Sequence, residues 1–177
     1  MQPSKSSSVR GVDVMAKRAG PARKMRIVFP HEKPPVVAVA EFDFEYAPKT
    51  CTAVWNYLES LGGSFTGETV HAMFAGRELA ISDFNVPGSA PLENSTVTPA
   101  PGEILYMHFP AGVERAFPQE IKELAIFYGP DSRIFVPMGW VPGNICARVT
   151  ENLEGLAAVA NRVRFEGVKR IRFELVK

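Results

Sequence analysis

At 177 residues the chain is sized for one domain with a tail, long enough to bury about two thirds of its unfolded surface. Hydrophobic residues at 46% and charged residues at 22% are ordinary for a globular protein, while fifteen prolines and fourteen glycines suit a turn-rich β fold better than a helical bundle. The net charge of +1 hides an asymmetry: residues 1–26 hold seven basic residues against Asp13 alone, a local +6 that leaves −5 on the remainder. A mildly acidic body carries no electrostatic footprint for nucleic acid.

Residues 1–24 are expected as a disordered basic tail, low in complexity from Ser4 to Ser8 and without interleaved aromatics, and residues 25–177 as the folded domain. No apolar core of a secretory signal and no apolar run of about 20 residues stands in the sequence, so no membrane partner is expected. Cys51 and Cys146 both fall in apolar patterns and read as reduced core thiols, which points to a cytoplasmic location.

A short apolar strand is predicted over 25–29, closed by Pro30. A longer one over 36–46 alternates Phe42, Phe44 and Tyr46 with Asp43 and Glu45. Next comes a helix over 50–61, with Cys51, Val54, Trp55, Leu58 and Leu61 on one stripe. Pro48 lies just outside it, Thr50 or Thr52 can cap its free amides, and Gly62-Gly63 supplies a left-handed exit. A lone apolar helix among strands needs a concave sheet to bury it, so it reads as the plug of a barrel.

Strands over 67–74 and 77–82 flank Ala75-Gly76 as a hairpin, and 83–101 is a long loop without periodicity. Further strands are expected over 103–109, 122–128 and 144–150, with an irregular segment around Trp140. The stretch 122–128 is apolar on both faces and so central. Asn152 can cap a second helix reaching about residue 164, and a strand over 169–176 closes the fold. Roughly eight strands and two helices, with no helix after most strands, argue against a parallel doubly wound sheet.

In this order the chain resembles the cyclophilins. Pro48-Lys49-Thr50 before the Trp55-centred helix, Pro101-Gly102-Glu103-Ile104-Leu105-Tyr106-Met107 as a glycine-led strand, and the step 147–156 from strand to helix carry the resemblance across about 36–176. More closely, Glu93-Asn94-Ser95-Thr96-Val97-Thr98-Pro99, Phe127-Tyr128-Gly129 and Pro142-Gly143-Asn144 resemble an uncharacterised bacterial family of cyclophilin-like proteins. Membership implies a mainly β fold, a closed eight-stranded barrel capped by two helices, and no assigned activity. In cyclophilin isomerases the strand after the first helix carries phenylalanine, histidine and an arginine that polarises the prolyl amide. The matching run here is Val70-His71-Ala72, and Leu124 and Ala125 supply no amide where the isomerases have glutamine. Losing a preorganised cationic donor costs a few kcal/mol of transition-state stabilisation, so efficient prolyl isomerisation is not expected. Arg77 substitutes only if the hairpin register brings it into the groove.

Two polar loops and a strand histidine set the candidate site. His71, with a reference pKa near neutrality, is the expected base, and Glu93 its partner in acid/base work. Asn94, Thr96, Tyr128 and Asn144 are the expected ligand-binding residues, with Tyr106 and Trp140 as further walls. Each also has a plainer reading, as a core histidine, turn-building side chains and ordinary packing. His31, His71 and His108 show no metal-ligand spacing, and no nucleotide-binding glycine pattern occurs, so no metal and no cofactor are expected. The functional expectation is a small polar ligand bound or transformed in a pocket at the barrel. A weak prolyl isomerase or proline-peptide binder is one alternative, and a non-catalytic homo-oligomeric subunit another.

Overall fold

A computed structural model describes residues 22–72, 75–112, 118–136 and 139–176. The expected tail lies outside these residues up to position 21, as do the last two positions of the strand expected over 67–74. Among the described residues the chain forms β1 (Lys24–Phe29), β2 (Val36–Phe42), α1 (Pro48–Ser60), β3 (Ser64–His71), β4 (Glu78–Ile81) and β5 (Ser95–Thr96). It continues with β6 (Glu103–Phe109), β7 (Ile121–Phe127), β8 (Phe135–Val136), β9 (Gly139–Trp140), β10 (Gly143–Glu151), α2 (Leu153–Glu166) and β11 (Lys169–Val176). The sheet order β2-β1-β11-β3-β4-β7-β6-β10 returns to β2 through β10, so eight antiparallel strands close a barrel. This is the expected fold class.

Alternation fills the barrel. Met25, Ile27, Ala38, Ala40, Ile104, Leu124, Ile171 and Phe173 point inward and meet the stripes of both helices. Cys51, Val54 and Leu58 come from α1, and Leu156, Val159, Ala160 and Val163 from α2. Each large side chain buried this way contributes about 1.5–3 kcal/mol. The opposite faces of β6 and β7 are also dry: Leu105, Met107, Ala125 and Phe127 sit under Ala75 and Ile134 in a second cluster on the outer wall. That cover explains why the stretch 122–128 reads as apolar on both faces.

Three boundaries differ from expectation for local reasons. β2 ends at Phe42, because Asp43 turns the chain by donating its N–H to Cys146 and accepting that of Ala47, which leaves Tyr46 exposed. α1 starts at Pro48, whose missing N–H suits the first helical position, and neither Thr50 nor Thr52 caps it. Gly62 and Gly63, at φ 77° and 89°, do provide the left-handed exit. The long loop contributes the two-residue β5, paired with the start of β10.

The helices occupy opposite mouths. α1 links the end of β2 to the start of β3, and α2 links the end of β10 to the start of β11. In an antiparallel barrel those two junctions lie at opposite ends of the staves. Each mouth therefore has its own helix and its own set of loops.

Candidate functional site

At the α1 mouth the polar loop folds inward. The Glu93 carboxylate accepts the Thr50 N–H at 2.5 Å, supplying from 43 residues away the cap that α1 lacks locally. The Glu93 N–H in turn donates to Asn144 Oδ1 at 3.1 Å. Asn144, buried, donates from Nδ2 to Thr50 Oγ1 at 3.0 Å and to the Pro91 carbonyl at 2.7 Å. Asn94 adopts the left-handed region (φ 48°) and donates to Asp43 Oδ2 and the Ile145 carbonyl. Thr96 Oγ1 accepts the Thr98 N–H at 3.0 Å. Here the turn-building reading of the loop holds, since these side chains answer one another.

Strand register fixes how far this lies from His71. Asn144 is level with Tyr106, and Tyr106 with Leu124. Tyr128 stands four residues further along, roughly 13 Å at 3.3 Å per residue. The six expected site residues are therefore not one site. His71 and Tyr128 meet at the α2 mouth, while Glu93, Asn94, Thr96 and Asn144 stay at the α1 mouth, and Glu93 is engaged as a helix cap there instead of as a partner of His71.

The α2 mouth holds a pocket of about 740 Å³ lined by His71, Ala72, Arg77, Tyr128, Asn161 and Arg164, with Asp131 also on its wall. His71 Nδ1 lies 2.9 Å from the Ala72 carbonyl oxygen, which can only accept, so Nδ1 carries a hydrogen. In that tautomer Nε2 is free to accept from the Tyr128 hydroxyl, 2.7 Å away. Burial raises the Tyr128 pKa, while the charges of Arg77 and Arg164 pull it back down. The hydroxyl thus stays protonated at neutral pH and donates to the imidazole, with the Asn161 amide 3.5 Å away.

The backbone of Arg77 is pinned: its N–H donates to Ser132 Oγ and its carbonyl accepts the Tyr128 N–H. Its side chain crosses Gly129 so closely that a β-carbon there would fall 2.2 Å from Arg77 Cδ. Arg26, Arg148 and Arg172 each lie within ion-pair distance of a carboxylate. Arg77 and Arg164 have no carboxylate partner among the described residues. Two guanidiniums without a carboxylate partner among the described residues therefore line one concave wall, which Asp131 also lines.

Sequence reasoning reached His71 and Tyr128 but passed over Asn161 and Arg164, which share a helix face at i and i+3. It admitted Arg77 only under a shifted register. With β3 and β4 paired as His71 opposite Leu79, Arg77 nevertheless lines the pocket beside Ala72. The other expected walls lie elsewhere. Tyr106 is enclosed in the barrel core, and Trp140 stands exposed against Phe135 on the β8–β9 hairpin. Cys51 and Cys146 are free buried thiols, and burial pushes Cys51 up to about 12. Among the described residues no group of three or more His, Cys, Asp or Glu side chains is placed to hold a metal, and no helix is long and apolar enough to cross a membrane.

Residues 31–175 match the model of the family described as "Protein of unknown function (DUF3830)", and the chain belongs to that family. Among solved structures it is similar to McbB in complex with tryptophan, at 17% identity and a TM-score of 0.57. That match covers 85% of this chain and 44% of McbB, so the chain spans less than half of that protein. It is also similar to a mimivirus cyclophilin, at 12% identity and a TM-score of 0.53, covering 89% of this chain and 88% of that one. At these identities the likeness establishes a cyclophilin-like barrel and nothing finer. No curated protein sequence matches the chain.

Proposed function

We propose that this DUF3830 protein binds a small anionic molecule at the α2 mouth, with Arg77 and Arg164 holding its negative group. The observation that carries this reading is two guanidiniums without carboxylate partners beside a hydrogen-bonded His71–Tyr128 pair in one pocket. A cavity of about 740 Å³ falls within the range of small-molecule sites. His71 and Tyr128 are the acid–base pair available to a bound substrate: as the hydroxyl oxygen takes a proton from the ligand it passes its own to the bare Nε2, leaving a deprotonated ligand, a neutral tyrosine and an imidazolium. The similar structure of McbB with tryptophan, a carboxylate-bearing ligand, is compatible with an anion of this class on this fold. Glu93, Asn94, Thr96 and Asn144 serve the fold in this reading.

Calorimetric titration with inorganic phosphate and with acetate tests it. Saturable binding by the native protein, weakened about 100-fold in R77Q/R164Q with the melting temperature kept, is expected. Equal affinity for native protein and double variant would reject it.

One observation favours a second reading. Arg77 brings a guanidinium into the pocket that Ala72 lines, the position where prolyl isomerases of this fold carry theirs. A protease-coupled proline-peptide assay separates the two: a rate above background that R77Q removes would support isomerisation, and a flat trace would end it.

A further inference from the structure

Phe165 stands 83% exposed on the last turn of α2. It follows Arg164 directly and lies four residues after Asn161, so the pocket wall and the phenylalanine share one helix face. The Arg164 guanidinium lies 5.8 Å from the centroid of its ring. Two more exposed apolar side chains adjoin it. Val168 follows the Gly167 turn and precedes Lys169, which pairs with Thr69, the residue before Val70, so both exposed valines flank that pair beside His71. Phe165, Val168 and Val70 are thus an exposed apolar apron at the α2 mouth, next in sequence to the pocket residues Arg164 and His71.

At 83% exposure the Phe165 ring buries little apolar surface in the folded chain beyond its contact with Arg164. Beside a guanidinium with no carboxylate partner among the described residues, it suits a ligand that offers a negative group and apolar surface together. We infer that the ligand of this pocket is an amphipathic anion, its carboxylate or phosphate on Arg77 and Arg164 and its aromatic or aliphatic arm laid along Phe165. The inference rests on the anion-binding reading above and adds the class of molecule.

Paired titrations of acetate and phenylacetate, then acetate and hexanoate, test it on the full-length protein and on Phe165→Ala, an exposed position whose loss leaves the core intact. The apolar arm is expected to tighten binding at least tenfold in the native protein. Phe165→Ala is expected to abolish that gain while leaving the acetate constant within twofold, and Val70→Ser to reduce it in part. Acetate and phenylacetate binding equally well would overturn the inference and leave the anion site standing. Failure of all three anions to bind would overturn both. A change of sedimentation mass in Phe165→Ala, without any change in the ratio of the two constants, would assign the apron to contact between copies of the chain and overturn the inference as well.

Discussion

The two mouths of the barrel use similar residue types to opposite ends. At the α1 mouth Glu93, Asn94, Asn144 and Thr50 answer one another, and Asn144 alone makes three hydrogen bonds while 3% exposed. At the α2 mouth, among the described residues, Arg77 and Arg164 line a cavity without a carboxylate partner, next to a histidine and a tyrosine paired with each other and with the nearby backbone and amide. What distinguishes the α2 mouth is two guanidiniums left without a carboxylate partner among those residues.

Breaking the α1 mouth has the largest expected effect on stability. Asn144→Ala leaves Thr50 Oγ1, the Pro91 carbonyl and the Glu93 N–H without their partner, which costs about 3 kcal/mol in chemical denaturation. Anion affinity at the far mouth is expected to stay within twofold, and a joint loss would show that the two ends are one unit.

Glu78 sharpens the contrast from the outer wall, as a buried carboxyl. It is 2% exposed, its Oε1 has no hydrogen-bond partner among the described residues, and burial, with a smaller push from Glu123, raises it from 4.5 to about 8. The folded chain thus keeps a proton that the unfolded chain releases above about pH 4.5. Stability falls as pH rises from there to about 8, by up to about 1.4 kcal/mol per unit. Glu78→Gln is expected to reduce that slope, leaving the share of Glu123, which burial raises from 4.5 to about 7, and to be the more stable protein at pH 7, by about 3 kcal/mol. Urea midpoints measured at pH 5, 7 and 9 decide it; parallel slopes for both proteins would show that Glu78 is ionised in the fold.

The smallest change is aimed at the α2 mouth. Gly129→Ala places a methyl group where Arg77 now crosses, and the flexible side chain yields before the backbone does. Anion affinity is expected to drop about fivefold, with under about 1 kcal/mol lost in stability. Unchanged affinity would mean that Arg77 does not touch the anion.

Much of the barrel was readable because burial writes itself into periodicity. The stripe Cys51-Val54-Trp55-Leu58 and the Asn152 cap are local signals that the structure uses as they imply, while Leu61, expected on the same stripe, is exposed past the helix end. α1 escaped at its N-terminus because its cap comes from Glu93, a pairing that no local window contains. The site was half readable for the same reason. His71 announces itself by residue type, but a surface arginine in a helix resembles any other until the fold sets Arg164 opposite Arg77. The four polar residues of loop 93–96 look alike in sequence whether they face a ligand or one another; only the register, by placing Asn144 level with Leu124 and Tyr128 four residues beyond, separates the two mouths.

A crystal grown or soaked with a simple carboxylate or phosphate would test the contrast between the mouths most directly. Density for the anion bridging the Arg77 and Arg164 guanidiniums, with the Glu93–Asn144–Thr50 network unaltered, is the expected result. An anion seated at Asn144, or the two arginines turned onto carboxylates of the chain with the pocket left to solvent, would contradict it.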